Sequence, residues 1–174
     1  MLAGKDEEGA KRRKRAAADA GLLSPLVRAL ALHKGACGVQ QHGCRALAIL
    51  CTGADAASEQ RRLQGVNAGA IGAVVGGLLA HCDAATGAAS SSGVSQPSDG
   101  PRAALLETRA REAAAVMDGG VAALQLLTAS AATQREQAMR AGAVEEWLEG
   151  SWRRTAVEDA PLPPPSDEAT TQVV

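Results

Sequence analysis

The chain has 174 residues, 46% of them apolar and 21% charged, with a formal net charge of −1; that leaves room for one domain of ordinary size. Alanine supplies 39 of the apolar residues against 18 Leu, 12 Val and 2 Ile, and with 2 Trp but no Phe or Tyr the chain lacks the best β-formers while being rich in the best helix formers. A large multidomain enzyme and an all-β fold are excluded, and the near-neutral balance removes any general electrostatic case for nucleic acid.

In chain order, residues 1–18 read as a basic arm and a first short helix, carrying the block Lys11, Arg12, Arg13, Lys14 and Arg15. Neither a secretory signal pattern nor a run of 18 apolar residues occurs, so a soluble, unsecreted chain in the cytoplasm or nucleus is expected, with no membrane span. The cysteines Cys37, Cys44, Cys51 and Cys82 show no C-x-x-C spacing. Cys44 and Cys51 would stand roughly 10 Å apart along a helix, too far to bridge, and reduced thiols are the economical reading.

A step of Ala-Gly followed by an apolar helix then recurs three times, at Ala20-Gly21, Ala68-Gly69 and Ala141-Gly142. Behind the first lie Leu23, Leu26, Val27 and Leu30; behind the second, at a constant offset of 48, lie Ile71, Val74, Val75 and Leu78. Each set is one face of a helix. The third offers Val144, Trp147 and Leu148, then reaches Ser151.

A second element repeats at an offset of 77: Val39 to Leu50 matches Val116 to Leu127 with Val, Gly, Ala, Leu and Leu at identical places. Its core row is expected to be Val39, Gly43, Ala46, Leu47 and Leu50. Charged segments, Glu59 to Asn67 and Gln134 to Arg140, lead back to the Ala-Gly step. One unit is thus three helices, the turn glycines Gly21, Gly69 and Gly142 being structural. The middle unit carries an insertion near residues 83–101, Gly/Ala/Ser-rich and expected to be disordered from Ala84 to Gly100. A helix should start at Pro101, run to about Met117 and be kinked or broken at Gly119-Gly120. Residues 154–174 read as a disordered, acidic, Pro-rich tail.

This pattern resembles the armadillo repeat, a unit of about 42 residues with a short first helix, a Gly-marked turn, a second helix opening Gly-Ala-Ile, here Gly69-Ala70-Ile71, and a third opening Val-Gln, here Val39-Gln40. The resemblance spans most of residues 5–152. It implies an all-α, right-handed solenoid of about two and a half repeats over residues 19–153, ending in a unit without its third helix. The alternative is an Ala-rich bundle whose repeats are compositional.

In that family the third helices line a concave groove for extended peptides, and importin-type members place Trp and Asn four apart there. Arg45 and Ile49, then Ala122 and Leu126, occupy those places here, so the import-peptide reader is not implied. The candidate groove stripe is His42, Arg45 and Ile49, suited to an acidic or amphipathic segment of another protein. Neither nucleophile motif nor phosphate loop occurs; no enzyme activity, cofactor or metal site is expected, His33 and His81 being a repeat apart. The expected function is a non-catalytic protein-binding scaffold. Alternatives are a nuclear or nucleic-acid-associated accessory acting through Lys11 to Arg15, or a truncated array without a partner. An uncapped last unit also suggests self-association through Val144, Trp147 and Leu148.

Overall fold

The computed structural model describes residues 3–90 and 101–149. Among them the chain forms helices α1 (Ala3–Asp19), α2 (Leu23–Leu32), α3 (Cys37–Cys51), α4 (Ala56–Asn67), α5 (Ala70–Ser90), α6 (Pro101–Thr128), α7 (Ala132–Arg140) and α8 (Glu145–Glu149), with no strand. The protein is all-α. The expected tail and the stretch 91–100 lie outside the described residues.

The Ala-Gly steps are helix ends. Gly21, Gly69 and Gly142 have φ of 75°, 87° and 100°, and each stands one alanine past the end of α1, α4 or α7. Gly21 N–H donates to the Ala18 carbonyl at 2.9 Å and Leu22 N–H to that of Ala17 at 3.1 Å, while Gly142 and Ala143 repeat the pair on Met139 and Ala138, both at 3.0 Å. These are paired bonds of Schellman type, which satisfy the last carbonyls of a helix and turn the chain sharply. Space is not what glycine provides at the first two: a methyl on Gly21 or Gly69 would meet nothing within 4 Å.

The faces repeat in burial at three of their four positions, Leu26 being only partly buried where Val74 is enclosed. Leu23, Val27 and Leu30 of α2 are buried, and so are Ile71, Val74, Val75 and Leu78 of α5. Helix α2 packs on α3 and on α5, α5 packs on α6, and α3 packs on α6. Inside each pair a leucine seats on a glycine. A methyl added to Gly43 would lie 2.7 Å from Leu30 Cδ2, and one added to Gly120 would lie 2.5 Å from Leu78 Cδ2. Leu30 and Leu78 are related by the offset of 48, Gly43 and Gly120 by that of 77, so the same contact is made twice.

Several expectations are corrected. The first helix is not short, since α1 has 17 residues. Helix α5 continues to Ser90, so the opening of the expected disordered insertion is helical, in keeping with Ala84, Ala85, Ala88 and Ala89, all strong helix formers. Gly119-Gly120 neither ends nor breaks α6, which runs on to Thr128. The intrinsic cost of glycine there, about 1 kcal/mol each, is offset by the close approach of Leu78 to Gly120 and of the α3 backbone to Gly119.

On α3 the core row is rotated from Val39, which is 37% exposed, to Gln40, Gly43, Cys44, Leu47, Leu50 and Cys51; Ala46 is only partly buried. Gln40 is drawn inward because its amide donates to the Leu30 and His33 carbonyls at 2.8 and 2.9 Å, closing the end of α2. In the last unit Val144 is 42% exposed, whereas Trp147 and Leu148 belong to the core. Helix α8 lies against α6, with Gln125 Nε2 donating to the Leu148 carbonyl at 3.4 Å. Of the expected outer face, Val144 is thus exposed while Trp147 and Leu148 are turned inward.

Gly43→Ala should destabilise the protein by about 1–3 kcal/mol in denaturant unfolding, because Leu30 is fully enclosed and overpacking outweighs the gain in helix propensity. The same change in a Leu30→Val background should cost less. A stabilised single variant would mean that the leucine has room to move aside.

Candidate partner-binding face

His42, Arg45 and Ile49 stand on one side of α3 at i, i+3 and i+7, all three exposed, Ile49 at 51%. The corresponding positions of α6 are Gly119, Ala122 and Leu126, the second exposed and the others partly so. A methyl on Gly119 would lie 3.6 Å from the Gln41 carbonyl oxygen and 3.8 Å from the Arg45 amide nitrogen. The two helices thus meet backbone to backbone beside the stripe. One half of the face bears a cation, an imidazole and a branched alkyl group; the other half is low, with a bare glycine and an alanine. Such a step presents a guanidinium donor at Arg45 and apolar surface at Ile49 and Leu126.

The basic block is part of the first helix. It lies within α1, where Lys11 pairs with Glu7 at 3.1 Å, Arg15 with Asp19 at 3.8 Å, and Lys14 Nζ donates to the Thr52 carbonyl at 3.3 Å. The Thr52 bond docks α1 on the end of α3. Two arginines of α4 serve the same end: Arg61 Nε donates to the Leu50 carbonyl at 2.7 Å, and Arg62 Nη1 to those of Cys51 and Gly53 at 3.2 and 2.9 Å. Three cations therefore gather on the carbonyls that close α3, where the helix dipole is negative. Arg61 is buried, with Nη2 on Ser58 Oγ at 2.6 Å. Sequence reasoning missed Arg61, Arg62 and Gln40, since a charged or amide residue on a helix reads as a solvated face until its neighbour's carbonyls are located.

A cleft of about 430 Å³ separates α1 from the α3–α4 connection and α4, lined by Glu7, Lys11, Lys14, Asp55 and Arg61 among others. Its charges are engaged with one another and with helix ends. Asp55 caps α4, accepting from Ser58 N–H at 2.7 Å. The Ser58 hydroxyl, and then its N–H, hold the Asp55 carboxyl below its ordinary value of 3.8. Arg62, and then Ser130, hold that of Glu59 below 4.5.

His33 is exposed at the end of α2 and His81 is buried on α5; among the described residues no three of His, Cys, Asp and Glu come together as metal ligands. Cys44 and Cys51 are buried, and burial pushes the Cys44 thiol up to about 12 and raises that of Cys51. Among the described residues no single helix is long and apolar enough to cross a membrane.

In comparisons with known proteins, the chain matches no family model, no curated protein and no solved structure.

Asp55 and Glu59 set an acid limit on the seat of α4. A carboxyl depressed in the folded state stabilises it above the unfolded value and loses that contribution as pH falls through the folded one. Thermal midpoints should therefore be level between about pH 5 and 8 and fall below that range, through and beneath the ordinary values of 3.8 and 4.5. The double variant Asp55→Asn, Glu59→Gln should show a shallower acid decline; an unchanged decline would place the acid sensitivity elsewhere.

Proposed function

We propose that the protein is a non-catalytic scaffold that binds an extended, acidic or amphipathic segment of another protein on the face of α3 and α6, and that its helices form a short, right-handed, armadillo-like solenoid of about two and a half repeats. The observation that carries this reading is the doubled leucine-on-glycine contact. Leu30 on Gly43 and Leu78 on Gly120 are the same second-helix to third-helix joint, and α2 and α3 each pack on their repeat counterpart, α5 and α6. Compositional accident supplies alanines and glycines, but not the same buried pair at two independent offsets. In a stack of this kind equivalent helices lie side by side, and the exposed side of the third helices forms one continuous surface.

On that surface Arg45 supplies the charge-assisted donor and Ile49 the apolar anchor. Neither side chain belongs to the core, so both can be altered without touching the fold. Binding a protein segment also fits the character of the face, which is open, shallow and mixed in polarity.

Proximity capture with the parent chain, with Arg45→Glu, with Ile49→Asp and with the α4 surface control Leu63→Asp tests the reading. Both α3 variants should lose the partners retained by the parent and by Leu63→Asp, while their stability stays within about 0.5 kcal/mol of the parent. Partners that survive both α3 changes would overturn the assignment of the face. Unfolding by Arg45→Glu would overturn the register of α3.

A further inference from the structure

Where the connection between α2 and α3 rests on α5, a thiol and an imidazole meet. Cys37, the first residue of α3, places its Sγ 3.5 Å from Nδ1 of His81, and Nε2 of His81 lies 3.0 Å from the Lys34 carbonyl oxygen. A carbonyl only accepts, so Nε2 carries the proton, and in the neutral ring Nδ1 is then a bare lone pair facing the thiol. His81 is only 6% exposed and held from both sides, whereas Cys37 is partly open to solvent. The Lys34 ammonium lies over Gly76 on the same helix as His81, and Cys37 sits at the amino end of a 15-residue helix, where negative charge is favoured.

We propose that Cys37 is a reversible covalent modification site, with His81 as its base, for low-molecular-weight disulfides of the glutathione type. This arrangement has the parts of an activated nucleophile: a reachable thiol, a base within hydrogen-bond distance, and a third group that fixes the base's tautomer. In the reaction Nδ1 takes the Sγ proton and the thiolate attacks one sulfur of the disulfide. The S–S bond breaks, its other half leaves as a thiolate, and that thiolate takes up a proton from the imidazolium. Cys37 is oxidised to a mixed disulfide and the small disulfide is reduced to one thiol, so atoms and electrons balance. A second thiol reverses the step. The other cysteines are internal controls: Cys44 and Cys51 are enclosed in the core, and Cys82 is partly exposed, with its Sγ directed to the Leu79 carbonyl at 3.4 Å.

The test is peptide mapping by mass spectrometry of the full chain during exposure to oxidised glutathione. Cys37 should acquire the adduct at least about tenfold faster than Cys82, a modest share of what a positioned base contributes, with Cys44 and Cys51 unmodified while the protein is folded. His81→Gln, which retains a donor for the Lys34 carbonyl but no base, should bring Cys37 down to the rate of Cys82. In His81→Ala, added imidazole should restore part of the lost rate, a response that a purely structural histidine would not give. Equal rates at Cys37 and Cys82 in the parent, or an unchanged Cys37 rate in His81→Gln, would overturn the proposal. Should His81→Gln fail to fold, seen as adducts on Cys44, the parent ratio decides alone, and a ratio near one overturns it.

Discussion

A leucine seated on a bare glycine is the contact on which the rest of the structure depends. With a side chain at Gly43 or Gly120 the leucine opposite would have to shift, or α2 and α3, and α5 and α6, would stand further apart. Their close approach buries Leu30 and Leu78 completely or nearly so; each such side chain is worth about 1.5–3 kcal/mol relative to exposure. In a chain with few large apolar residues, where alanine supplies about half the apolar count, close approach substitutes for side-chain bulk. Gly119 extends the same principle from within a unit to the join between α3 and α6.

Polar groups then fix what the small core leaves loose. The end of α2 is closed by Gln40 from α3, and the end of α3 by Lys14, Arg61 and Arg62 from α1 and α4. Each of these two helix ends is satisfied by a neighbouring element as well as by its own C-cap N–H, from His33 in α2 and Thr52 in α3, so losing a neighbour would strand carbonyls as well as expose apolar surface. Helix α1 is structural in this sense, since its basic side chains include the one that docks it. With the buried side of α3 committed to the leucine contacts and its end to these cations, the side bearing His42, Arg45 and Ile49 is left exposed.

Much of the fold was legible because glycine and periodicity carry local physics. The Ala-Gly steps marked helix ends, which need a left-handed residue, and Leu23, Val27 and Leu30 announced a buried stripe by their spacing alone. What was not legible depended on a neighbour. Val39 is apolar and Gln40 is not, so periodicity puts Val39 in the core, and only the open carbonyls at the end of α2 reverse the two. Gly119-Gly120 looks like a breaker until Leu78 and the α3 backbone are laid against it. The length of α5 was hidden by small residues that read equally as helix or as low complexity. In the candidate face, the exposure of His42, Arg45 and Ile49 followed from the helical pattern, whereas the lowness of the α6 half, set by Gly119, required the pairing of α3 with α6. The meeting of Cys37 with His81, 44 residues apart, had no sequence signal beyond the spacing of the repeat.

The most direct measurement of the central claim is a set of nuclear Overhauser contacts on methyl-labelled protein. Cross-peaks from the Leu30 methyls to the Gly43 α-protons, and from the Leu78 methyls to the Gly120 α-protons, are expected together and with similar strength. Observation of only one, or of Leu30 methyls against Gly120, would contradict two copies of one joint and with it the stacked-unit account of the fold.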